Sequence, residues 1–158
     1  MELWSEPYFV QRAAEILAAY RHWLGRDLVE HCADPVENSR KLFHAKFVVV
    51  AHGTEADPIL NYANQRALQL WEMDWEQFRQ TPSRLTAEPV HRDERARMLE
   101  LTRQQGYFAD YSGVRISSTG RRFRIDQALV WNLLQDDGTP AGQAAMFADW
   151  TFLDSVAG

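Results

Sequence analysis

Arg84 and Arg115 are the residues best placed by type to hold an anion. A guanidinium directed into a sheet needs an acidic partner, either a carboxylate such as Glu88 or Asp110 or the acid group of a ligand. Alternation places Arg115 on the face of Tyr111 and Gly113, with Val114 and Ile116 on the other. A structural salt bridge is the favoured reading, with a ligand carboxylate as the alternative. Asn132 and Gln143 fall near the turn ends of neighbouring strands, where their amides can bond a ligand or satisfy backbone groups. The rings of Trp71, Trp75, Phe78, Tyr107, Phe123 and Trp131 either line a cavity or fill a packed core; periodicity reads the same for both. A cavity, if formed, is expected between the segment from Trp71 to Phe78 and the sheet residues Tyr111, Arg115 and Trp131.

Other reactive residues are less promising. His31, Cys32, His44 and His52 match no zinc spacing with paired ligands, so no metal is expected. The charges between Arg92 and Arg97 read as a solvated helix face, and Asp136-Asp137 as a turn. Glycines occur singly at turns rather than in a phosphate loop, and Ser83, Ser112, Ser117 and Ser118 lack a nucleophile-elbow context. No catalysis is expected; an enzyme reading would need His91 and Asp110 to share a deep pocket.

Composition narrows the class. A chain of 158 residues, 46% hydrophobic and 25% charged, is a single-domain length with an ordinary globular balance. Its net charge of −5 argues against nucleic acid, since phosphate contacts need a basic surface. One cysteine, Cys32, excludes an intramolecular disulfide and fits a reducing compartment. No apolar run approaches the ~18 residues of a membrane span, and the acidic start is unlike a secretory signal. A cytoplasmic protein without membrane association is the expectation.

Periodicity supplies the elements. Ser5 and Pro7 suggest a helix start, and Phe9, Ala13, Ile16, Leu17, Tyr20 and Leu24 recur at helical spacing, with Arg12 outside that stripe and Gly25 as the stop. Asp34-Pro35 opens a second helix. Residues 47–51 read as a strand buried on both faces and 59–62 as its partner. Short helices follow from Asn64 and Asp74, then a charged one from about 89 to 104. Three strands close the chain at 107–117, 122–134 and 143–152. Strict alternation puts Phe123, Ile125, Leu129, Trp131 and Leu133 on one face. It also separates Ala145 and Phe147 from Trp150. Apolar residues on both faces require a cover, either the N-terminal helix or a second copy of the chain.

Several words of the sequence resemble one family. They include Asp57-Pro58 through Tyr62-Ala63-Asn64, Pro82-Ser83-Arg84, Asp110-Tyr111-Ser112-Gly113, Val130-Trp131-Asn132 and Gly142-Gln143-Ala144-Ala145. Together they are similar to the MEKHLA domain, a PAS-related family found alone in bacteria and at the C-terminus of plant homeodomain-zipper transcription factors; the stand-alone bacterial form is the expectation. The resemblance implies an α+β, PAS-like five-stranded antiparallel sheet with short helices between its second and third strands. Residues 1–44 would form an N-terminal helical cap and 45–158 the domain itself. By analogy it implies a sensory or regulatory module that binds a small molecule or a protein partner, as a homodimer or with another chain, through the N-terminal helix or sheet face. The alternative is a dimerisation module with a filled core. Light-sensing flavin relatives carry a cysteine after the second strand, where this chain has Asn64 to Leu68, so a flavin–thiol photocycle is not expected. Haem is not expected either, because His91 sits in no haem motif.

Overall fold

Pro7 suits the first turn of a helix because its missing N–H falls among donors that have no intrahelical partner. The computed structural model describes residues 2–87 and 92–153. It begins with α1 (Pro7–Leu24), α2 (Pro35–Phe43), β1 (Val48–His52) and β2 (Leu60–Ala63). The helices α3 (Gln65–Trp71), α4 (Trp75–Phe78) and α5 (Arg92–Gln105) follow. The chain continues through β3 (Tyr107–Ile116), β4 (Arg122–Leu134), β5 (Pro140–Phe147) and β6 (Asp149–Phe152). Asp34, Asn64 and Asp74 cap their helices by accepting from Val36, Ala67 and Gln77 N–H groups. Ser5 does not cap α1. It ends a 3-10 turn with Oγ donating to the Glu2 carbonyl at 2.7 Å, and Glu6 takes the cap position.

All strand pairs are antiparallel, in the order β2-β1-β5-β4-β3, with β6 added to the first half of β4. The last expected strand is therefore two. Leu129 pairs with Met146 and Asp126 with Asp149, so the break at Ala148 falls opposite Gln127. Gln127 lies at φ 54° and Asp110, on the adjoining strand, at φ 57°. There the β3–β4 register slips as well.

This aligned kink inverts the alternation on each strand it crosses. Phe123 and Ile125 share a face with Ala128 and Val130, while Leu129, Trp131 and Leu133 face the other way. Trp150 joins Phe147, ring centroids 5.9 Å apart. Strict alternation fails here because it allows no residue to be spent on a bend.

The exposed Gln127 offers a test of the kink. Left-handed backbone costs a non-glycine residue about 1–2 kcal/mol, and the looser unfolded chain of a glycine offsets part of that. Gln127→Gly is expected to stabilise by on the order of 0.5 kcal/mol, read as a higher urea midpoint. A lowered midpoint would contradict a purely conformational role for this position.

Both sheet faces are covered. On one, Ile16 and Tyr20 of α1 meet the fully buried Trp131, whose Nε1 donates to the Ile16 carbonyl at 3.3 Å, and Phe9 meets Tyr62. Trp23 Nε1 donates to the Asn132 carbonyl at 3.0 Å, fixing the far end of α1. Arg12 is buried, contrary to its expected outer position: it donates to Asn61 Oδ1 and the His52 carbonyl and pairs with Glu15 at 3.1 Å. The other face lies beneath α3, α4 and α5, with Trp71, Phe78 and Met98 against Phe147 and Val130. Among the described residues, no helix is long and apolar enough to cross a membrane.

Candidate functional site

Between α3–α5 and the sheet lies a cavity of about 60 Å³. Trp71, Met98, Ile125, Val130, Ala145 and Phe147 make most of its wall apolar. Set into that wall are polar side chains that a packed core has no reason to bury. Ser83 is 2% exposed, Arg115 6%, Arg95 8% and Gln143 8%. His52, at the end of β1, faces the same space and pairs in register with Gln143 on β5.

Each polar group is positioned by local structure. Gly113 carries no Cβ, and one built there would stand 2.6 Å from the Tyr111 hydroxyl and 3.1 Å from Arg115 Nη1. Tyr111 and Arg115 therefore meet across it: Arg115 Nη2 donates to Tyr111 Oη at 3.2 Å, and the guanidinium stands 5.4 Å from the ring centroid. Arg115 Nη1 donates to the Val114 carbonyl at 2.9 Å. Arg95, on α5, donates from Nη2 to Ser83 Oγ, the hydroxyl of a short 3-10 turn over Ser83–Thr86. Gln143 Nε2 donates to the Leu99 carbonyl at 2.9 Å and to Asn132 Oδ1 at 3.1 Å. Asn132 in turn donates to the Thr102 and Arg103 carbonyls, closing the C-terminal end of α5.

The electrostatics are unbalanced. Desolvation, followed by the charge of Arg115, pulls the Arg95 guanidinium down to about 10. Burial likewise lowers the His52 imidazole, keeping it neutral near pH 7. Its Nδ1 lies 3.0 Å from the Gly53 carbonyl, which assigns the proton there and leaves Nε2 as an acceptor. His52 Nε2 and Trp71 Nε1 are buried without a hydrogen-bond partner. Among the described residues, no carboxylate lies within ion-pair range of Arg95 or Arg115. The counter-ion expected for Arg115 in Asp110 is absent, and Glu88 lies outside the described residues.

A wider cleft of about 580 Å³ adjoins the cavity and shares His52, Arg95, Leu99 and Gln143 with it, so these four form the partition. Arg84 stands at this outer cleft rather than in the sheet interior, half-exposed and paired with Asp57 at 3.2 Å. Asn132 also lines the outer cleft.

Of the other expected site residues, Trp71, Phe78, Tyr111, Arg115 and Gln143 are brought together around the cavity. Trp75 turns toward α1 instead, its ring 4.8 Å from that of Phe9. Trp131 lies on the opposite sheet face, where the kink sends it. Sequence reading missed Arg95 by assigning it to a solvated charged face. The available signal was its spacing of three and four residues from Met98 and Leu99, which puts all three on one side of α5.

A cavity of about 60 Å³ is far below the ~300 Å³ where pockets for drug-sized ligands begin, so a flavin ring does not fit it. No cysteine lines the wall: Cys32 precedes α2, its N–H bonded to Asn38 Oδ1 at 2.9 Å. His91 lies outside the described residues.

Comparison with known proteins agrees with the fold. A profile of the MEKHLA domain matches residues 10–152, beginning within α1. The rice homeobox-leucine zipper protein HOX32 (Oryza sativa subsp. indica) is 27% identical over 136 residues, which are 85% of this chain but 16% of that protein. Homeobox-leucine zipper protein ATHB-14 of Arabidopsis thaliana is 32% identical over 100 residues, 63% of this chain and 12% of that protein. These relatives are plant proteins, and they give no support to a stand-alone bacterial form. Among solved structures, a PAS domain from Colwellia psychrerythraea superposes with a TM-score of 0.62 at 11% identity, over 74% of this chain and 94% of that one. A light-oxygen-voltage domain studied with a flavin analogue gives 0.58 at 13% identity, over 75% and 85%. At such identities the likeness shows a PAS-like α+β fold.

Proposed function

The chain belongs to the MEKHLA domain family, and from that premise we propose that it is a regulatory, PAS-like module whose cavity takes a small molecule without a catalytic step. The observation that carries this reading is the buried polar lining: Arg95, Arg115, Ser83 and Gln143 surround a space, and the Nε atoms of His52 and Trp71 lack partners. Burying such groups is costly unless something meets them. A filled-core interaction module would carry apolar side chains at those positions. The regulatory part is supported by the occurrence of the same domain within homeobox-leucine zipper proteins.

Output in this proposal runs through the sheet. On β4 and β5, Val130 and Ala145 face the cavity while their neighbours Trp131 and Met146 pack on the side of α1. A ligand that presses on one face biases the packing of the other. Beyond α1, a groove lined by Ala14, Leu17, Ala18 and Val29 offers a surface for a second copy or another chain. The acidic net charge and single cysteine fit a cytoplasmic setting without nucleic acid as partner. Native mass spectrometry of the protein taken gently from cells is expected to show an added small mass that vanishes on denaturation. Recovery of the bare mass alone, together with no thermal shift across a library of metabolites, overturns the ligand reading.

A further inference from the structure

We propose that the cavity ligand is a short-chain organic carboxylate, its acid group held between Arg95 and Arg115. This rests on the reading of the cavity as a ligand site and names the chemistry of the ligand. The one other buried arginine among the described residues is neutralised: Arg12, 6% exposed on the far side of the sheet, has Glu15 at 3.1 Å. Arg84 has Asp57 even though it is half-exposed. Arg95 and Arg115 are as deeply buried as Arg12, yet their partners among the described residues are neutral: Ser83 Oγ, Tyr111 Oη and the Val114 carbonyl. Two cations on one cavity repel each other, and an anion between them removes that repulsion and supplies charge-assisted hydrogen bonds.

The rest of the wall selects among anions. Apart from the arginines, their hydroxyl partners and the polar His52, Thr86 and Gln143, the surface around the space is apolar, including Met98, Ile125, Val130 and Phe147. Inorganic phosphate has no apolar part to bury there, whereas a carboxylate has a small acid head and an alkyl remainder. At about 60 Å³ the space is small, so the ligand is short. A longer tail could pass the His52, Leu99 and Gln143 partition into the outer cleft.

The test is thermal unfolding of the whole chain with acetate, propionate and butyrate. Propionamide and 1-propanol serve as neutral counterparts, and inorganic phosphate as the other anion. At about a hundred times its Kd, a carboxylate is expected to raise Tm by roughly 5–10 °C, and the neutral molecules to leave it unmoved. Arg95→Met and Arg115→Met are expected to abolish the carboxylate response. Their Tm without ligand should be equal or higher, because each removes an unneutralised buried charge; a purely structural arginine would lower it. Neutral molecules acting as well as carboxylates, or a response surviving in both Met variants, overturns the anion while leaving the ligand site standing. Phosphate matching the carboxylates also overturns the class. Glu88→Gln is expected to change neither Tm nor response; if it lowers Tm and heightens the response, Glu88 is the counter-ion and the proposal fails. No response to any probe, with bare mass in the native spectrum, removes the ligand site itself.

Discussion

Asn64→Ala is expected to cost about 3–5 kcal/mol of folding stability, an unusual loss for a polar substitution. Asn64 is completely buried and its amide is fully used. Oδ1 accepts from the Val49 and Ala67 N–H groups, each at 3.1 Å, and Nδ2 donates to the Leu42 and Phe47 carbonyls at 3.2 and 2.8 Å. One side chain therefore ties the end of α2, the start of β1, the end of β2 and the first turn of α3. Removing it orphans the buried Val49 and Ala67 N–H donors and strips a donor from the Phe47 carbonyl, while the Leu42 carbonyl keeps only Ala45 N–H at 3.3 Å. Asn64→Asp separates the halves of this role, since it keeps the acceptors, loses both donors and aims a carboxylate at two carbonyl oxygens. It should be comparably destabilising at neutral pH. Urea denaturation measures both, and hydrogen exchange at the Val49 and Ala67 amides locates the opening. A loss under about 1 kcal/mol for Asn64→Ala would mean that the four backbone groups find other partners.

Asn64 also shows how far sequence carries. Its place at the switch from strand to helical period was legible, because that switch is local. Its bonds to Leu42 and Phe47 were not, since those pairings depend on where α2 ends in space. The same division holds for the sheet. Strands 47–51 and 59–62 announced themselves by composition, and the apolar second face of β4 demanded the cover that α1 supplies. What composition did not announce was the kink at Asp110, Gln127 and Ala148, three residues with no glycine among them. Missing it reversed the facing of Trp131 and placed that ring in a cavity it does not touch. Arg95 was lost for another reason: a charged residue in a charged helix reads as solvated unless its phase against Met98 and Leu99 is weighed above its charge. Both errors bear on the site, where the chain departs from simple patterning to build a polar cavity.

Gly142→Ala is expected to do the most damage of any single methyl added to this chain. Gly142 lies at φ 113°, and a Cβ there would stand 2.0 Å from the His52 carbonyl oxygen. No rotamer relieves this overlap, because both atoms belong to the backbone framework. Nor can His52 withdraw freely: it is in the ladder opposite Gln143, and its carbonyl accepts from Arg12 Nη2 at 3.3 Å. The β1 and β5 strands must part at the edge of the cavity, taking the His52–Gln143 partition with them. A loss of about 4 kcal/mol or more follows, a large fraction of the stability of a domain of this size. Gly138→Ala is the control, at φ 85° with nothing within 4 Å of its added Cβ. It bears only the left-handed backbone cost of about 1–2 kcal/mol. Circular dichroism melts of the two variants separate steric overlap from conformational preference. If the two melt alike, the close approach of β1 to β5 is not the constraint, and the wall of the proposed ligand site is looser than its geometry requires. If Gly142→Ala alone collapses, the glycine is there to let two strands meet closely enough to set His52 beside Gln143.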